Sequence, residues 1–150
     1  MILWSLLVNP AVTIRGLHYE EDTVVALARG AAGEGHWLVP YFYGTRFVER
    51  PVLMSWLIVG LATVFGGINQ WIIRIPTVLS LLLGGVLVAR LVRVHASALA
   101  AIFGALCFFL CPSILQKLVT AAPDVMVAVL QFLAFVIWWG GHRKNRSRSR

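Results

Sequence analysis

Trp71 to Val94 reads WIIRIPTVLSLLLGGVLVARLVRV, Ala96 to Leu115 reads ASALAAIFGALCFFLCPSIL, and Ala121 to Trp139 reads AAPDVMVAVLQFLAFVIWW. Each run is close to the roughly 20 apolar residues that an α-helix needs to cross a bilayer. In a chain of 150 residues that is 59% hydrophobic and only 13% charged, such runs lie far outside the usage of soluble domains. The fold class expected is therefore all-α integral membrane, a multi-span helical bundle. Soluble enzymes and nucleic-acid-binding modules are excluded on the same grounds.

Outward from these spans the signals weaken. Pro51 to Gly67 is apolar but shorter and begins with proline. Met1 to Ile14 is apolar, too short to cross, and lacks the basic residue that precedes the apolar core of a signal peptide, so it reads as the tail of a first span. Between them the composition changes: Glu20, Glu21, Asp22, Glu34 and Glu49 are five of the six acidic residues, and the sixth is Asp124. Asp22 can cap a short surface helix over Thr23 to Arg29, with Gly30, Gly33 and Gly35 stopping it. The aromatic run His36 to Tyr43 suits the headgroup region. Cys107 and Cys111 lack ligand partners at zinc spacing and read as lipid- or helix-packed thiols.

Sidedness follows from the basic residues, since Lys and Arg near span ends stay cytoplasmic. Arg90 and Arg93 end one span, and Arg143, Lys144, Arg146, Arg148 and Arg150 crowd the terminus. Both sites lie inside if Pro51 to Gly67 does not cross. The organisation expected is then 1–14 as a partial first span, 15–70 as an extracytoplasmic loop with two interfacial helices, 71–139 as three transmembrane helices, and 140–150 as a basic cytoplasmic tail. The Ser-Arg alternation of that tail is an anchor, not an RNA-binding segment, and no nucleic-acid partner is expected. Every carboxylate falls on the extracytoplasmic side.

Each polar residue there has two readings. Glu20, Glu21 and Asp22 are a helix-capping run or a catalytic cluster. Asp124, at the apolar start of a span, is a helix cap or a functional carboxylate. Glu49 and Arg50 are a local ion pair or site residues. Arg74 snorkels or contacts a lipid phosphate, snorkelling being favoured.

The ordered set Glu20-Glu21-Asp22, Gly35-His36-Trp37-Leu38-Val39-Pro40, Glu49-Arg50-Pro51-Val52-Leu53 and Arg74-Ile75-Pro76, followed by Asp124, resembles the C-type membrane glycosyltransferases of the aminoarabinose-transferase and protein-mannosyltransferase type. The resemblance spans roughly Tyr19 to Phe135. It implies transfer of a sugar from a polyprenyl-phosphate donor to an acceptor at the extracytoplasmic face of a membrane, here the bacterial inner membrane. By the same resemblance, Glu20, or Asp22 in a shifted register, is the general base and Glu21 belongs to the same cluster. Arg50 stands where the family has lysine and would hold the leaving phosphate, gaining a bidentate grip. Glu49 and Asp124, with Glu21 as a further ligand, would hold a divalent metal cation. Family members are several times longer, so the chain looks like an N-terminal portion, inactive alone. The alternative is a non-catalytic small membrane protein that keeps the scaffold to bind lipid or a partner.

Overall fold

The computed structural model describes the backbone of residues 19–148 and the side chains of residues 21–142. The expected partial span over 1–14 lies outside the described residues. Six α-helices and one small hairpin are present among them. They are α1 (Tyr19–Glu34), β1 (Tyr41–Phe42), β2 (Thr45–Arg46), α2 (Leu53–Phe65), α3 (Gln70–His95), α4 (Ala98–Leu110), α5 (Pro112–Lys117) and α6 (Pro123–Arg148). This is an all-α membrane protein. Two of the helices, Gln70–His95 and Pro123–His142, are long and apolar enough to cross a bilayer.

Helix α1 starts earlier and runs further than the sequence suggested. Asp22 sits in its first turn, where a carboxylate complements the exposed amides of the helix start. Gly30 and Gly33 do not stop it: a glycine inside a helix costs up to ~1 kcal/mol, and packing of Val24, Val25, Ala28 and Ala31 into the core outweighs that. Gly35 does stop it, at φ 75° in the left-handed region, with the His36 amide donating to the Gly30 carbonyl. The chain then forms a hairpin in which Tyr41 pairs with Arg46 and Phe42 with Thr45. Its two-residue turn, Tyr43 (φ 50°) and Gly44 (φ 78°), has both centres left-handed, as the twist of a tight hairpin requires.

Helix α2 has 13 residues and is about 20 Å long, short of the roughly 30 Å hydrocarbon core. It buries Met54, Ile58 and Val59 against α1 and α3 and leaves Trp56, Leu57, Val64 and Phe65 exposed. Trp56 donates its indole N–H to the Trp37 carbonyl at 2.7 Å, tying the aromatic loop to this helix. Asn69 caps α3 by accepting from the Ile72 amide.

The run Ala96 to Leu115, read as one span, is a broken helix. Ser97 caps α4 by accepting from the Ala100 amide, the helix ends at Leu110, and Cys111 is extended at φ −60° and ψ 126°. Pro112 is the cause: its ring excludes helical geometry at the preceding residue, and it then opens the short α5 from the first helical position.

Helices α3, α4 and α6 pack through small residues. A methyl group added at Gly85 would fall inside the Phe109 ring, whereas one at Gly104 would meet Val92 at 3.2 Å. Glycines at such crossings let helix backbones approach closely. Gly85→Ala is therefore expected to destabilise the bundle by about 1–3 kcal/mol through overpacking. Thermal unfolding in micelles checks this, and Gly104→Ala should cost less.

Candidate functional site

The polar centre of the molecule is built where α1, α3 and the start of α6 meet. Glu21 lies on the inward side of the first turn of α1 and Arg74 in the first turns of α3, and they are 0% and 1% exposed. Arg74 Nε donates to Glu21 Oε1 at 2.7 Å and Nη2 to Oε2 at 2.8 Å, a bidentate pair. Glu21 Oε1 also accepts from the Ala121 amide at 2.9 Å. One residue on, the Ala122 amide donates to Thr77 Oγ1 at 3.0 Å. Two buried side chains thus take up the backbone donors of the segment that leads into α6.

Removing a carboxylate and a guanidinium from water costs several kcal/mol each, and only full hydrogen bonding offsets it. The arrangement here supplies that bonding. It fixes three segments that are remote in the chain, since Glu21 lies 53 residues from Arg74 and 100 from Ala121.

Arg74 therefore neither snorkels nor faces lipid; it turns inward. A signal was available in the sequence, because an arginine within an apolar helix needs a partner and three of the six acidic residues, Glu20, Glu21 and Asp22, lie side by side. What the sequence did not reveal was which of the three acids is inward. Consecutive residues on a helix point about 100° apart, so one inward position makes its neighbours differ. With Glu21 inward, Asp22 is exposed to solvent. The side chain of Glu20 lies outside the described residues.

The remaining candidates are spread. Glu49 and Asp124 are exposed, and Asp124 occupies the second position of α6, three residues after the amide held by Glu21. Arg50 is half-buried, and its Nη1 is buried with no hydrogen-bond partner among the described residues. No ion pair joins it to Glu49 there, so the local-pair reading of these two is not what the structure shows. Thr120 to Ala122 are buried beside the Glu21 and Thr77 acceptors, a docking that sequence reasoning missed because it rests on backbone amides.

A divalent cation takes about six or more oxygen ligands. Among the described residues no three His, Cys, Asp or Glu side chains gather to hold one, and both oxygens of Glu21 are committed to Arg74. These side chains do not by themselves fit a metal.

Beside the hairpin, the His36 and Tyr41 rings lie 4.4 Å apart, and His36 Nδ1 is 3.2 Å from Glu34 Oε2. Arg46 Nε donates to the Tyr41 hydroxyl at 3.3 Å, and this bond holds the Arg46 guanidinium charged more firmly than usual.

Residues 49–149 match the family described as dolichyl-phosphate-mannose-protein mannosyltransferase. The chain is also 27% identical over 140 residues to the undecaprenyl phosphate-alpha-4-amino-4-deoxy-L-arabinose arabinosyl transferase of Enterobacter sp. (strain 638). That alignment covers 92% of the chain and 25% of the relative, so the chain spans about a quarter of the length of the curated relative it matches. No solved structure matches. The family match takes in two thirds of the chain, including Glu49, Arg50, Arg74 and Asp124, and the chain belongs to the dolichyl-phosphate-mannose-protein mannosyltransferase family.

Proposed function

We propose that this chain forms part of a glycosyltransferase that moves a sugar from a polyprenyl phosphate to an acceptor hydroxyl or amine at the extracytoplasmic face of the bacterial inner membrane. The observation that carries the reading is the buried Glu21–Arg74 pair with its bond to Ala121. It holds the acidic turn of α1 in place at the head of α3 and α6, where a lipid-borne donor and an acceptor can meet.

In this mechanism Glu21 is a positioning residue. Its oxygens are taken by Arg74 and Ala121, so the proton acceptor is a neighbour on the same turn, Glu20 or Asp22. The acceptor O–H or N–H attacks the anomeric carbon opposite the phosphate, its proton passes to that carboxylate, and the carbon–oxygen bond to phosphate breaks with the electron pair leaving on the phosphate. Arg50 meets the negative charge that develops there; its buried Nη1, without a hydrogen-bond partner among the described residues, is a donor that can take an acceptor.

The sidedness is part of the proposal. With Arg90, Arg93 and the basic terminus inside, α3 enters from the outer face, the broken α4–α5 segment returns, and α6 delivers the tail to the cytoplasm. Single cysteines at positions 34 and 147, in a chain lacking Cys107 and Cys111, should label from opposite sides of the membrane. Labelling of both from one side overturns this topology.

Asp124→Asn removes a charge with almost no change of shape. In the full-length protein it is expected to lower transfer by on the order of a hundredfold if Asp124 acts on the reacting groups. A helix-start role alone predicts a near-normal rate and at most ~1 kcal/mol of lost stability.

A further inference from the structure

Along α1 from the polar centre, the helix and the hairpin enclose a cleft of about 530 Å³ to which neither the proposed base nor the phosphate contact belongs. Its lining includes Arg29, Gly30, Gly33 and Glu34 from the last turns of α1, and His36 and Tyr41 from the segment that follows. Gly30 lies nine residues beyond Glu21, about 13 Å along the helix axis.

Three features define what this cleft suits. Gly30 and Gly33 leave backbone on one wall: a methyl group at Gly33 would meet nothing within 4 Å, and one at Gly30 would only touch the Tyr41 carbonyl at 4.0 Å. The helix thus tolerates two residues that weaken it, and the space they vacate stays open. Opposite stands a ring surface, His36 against Tyr41, with the Tyr41 hydroxyl oriented by Arg46. Third, the charges balance, one guanidinium (Arg29) with one carboxylate (Glu34), and that carboxylate lies 3.2 Å from His36 Nδ1.

A phosphate dianion would meet Glu34 as well as Arg29, so balanced charge counts against it. An acyl chain would strip water from those same groups without replacing their hydrogen bonds. A neutral pyranose fits both demands. Its C–H face covers an aromatic ring, and its hydroxyls donate to a carboxylate and accept from a guanidinium.

We propose that this cleft binds a saccharide unit of the acceptor, about two to three sugar rings from the reacting hydroxyl. The binding itself does not depend on the transferase reading; the role as acceptor subsite rests on it.

The test uses the chain in phospholipid nanodiscs free of sugar headgroups and detergent glycosides. Methyl β-glucopyranoside, methyl α-mannopyranoside and N,N′-diacetylchitobiose are titrated separately and followed by saturation-transfer NMR, with inorganic phosphate as competitor. Saturable binding of at least one saccharide on the order of millimolar is expected. Gly33→Leu, which fills open space on a helix it should otherwise strengthen, and Tyr41→Ala are each expected to weaken it about tenfold or more. Tyr41→Phe, which keeps the ring, should retain most of it. Adding a glucosyl-diacylglycerol to the nanodiscs separates the sources: competition with the soluble probe assigns a lipid-borne sugar, and its absence a soluble one. Failure of all three saccharides to bind, displacement by phosphate, or unchanged affinity in Gly33→Leu overturns the proposal. Glu20→Gln is expected to bind saccharide normally, so loss of turnover in the full-length enzyme and loss of cleft binding are separate results.

Discussion

Arg74→Ala is expected to destabilise the protein by about 3–5 kcal/mol, because it leaves the Glu21 carboxylate buried without its counter-charge. Denaturation in mixed micelles, followed by tryptophan fluorescence, reads the loss. A surface pair would cost well under 1 kcal/mol, so a small effect would show that water reaches the carboxylate. The double variant Glu21→Gln with Arg74→Met removes both charges, keeps an oxygen for the Ala121 amide and keeps most of the side-chain volume. Its stability should recover most of the way, since apolar replacements of buried pairs are often neutral. If Glu21 and Arg74 act only to hold the fold, the proposed transferase carrying both changes should recover its rate along with its stability. If they set the position of the acidic turn, stability returns and the rate does not.

Helical membrane architecture is legible because transfer of apolar side chains is additive along a run, and α3 and the apolar part of α6 follow it closely. Boundaries set by a single residue's backbone chemistry are less visible. Pro112 breaks the run Ala96 to Leu115, although the hydropathy there is unbroken, while Gly30 and Gly33 fail to break α1 because packing of its other face outweighs their cost. The family resemblance depended on the order of short motifs, and the matched residues 49–149 include most of them. The partner of Arg74 was out of reach for a different reason. Nothing in the chain marks Glu21 over Glu20 or Asp22 until the azimuth of α1 is known, and that azimuth is set by Val24, Ala28 and Ala31 packing on α2 and α3.

The azimuth decides the next experiment, since an inward Glu21 divides the acidic turn into one structural carboxylate and two others. Glu20→Gln and Asp22→Asn are isosteric, and each removes one negative charge from the first turn of α1. Asp22 is exposed, so its substitution is expected to change stability by no more than about 0.5 kcal/mol. In the proposed transferase, the one that supplies the general base should cost on the order of a hundredfold to ten-thousandfold in turnover while the protein stays folded. The other should change the rate only slightly, through the field at the helix start. Turnover of a polyprenyl-phosphate sugar, measured with both variants at matched folded concentration, separates the two registers. If both keep the full rate, neither carboxylate takes the acceptor proton, and the chain has kept the Glu21–Arg74 scaffold without the chemistry proposed for it.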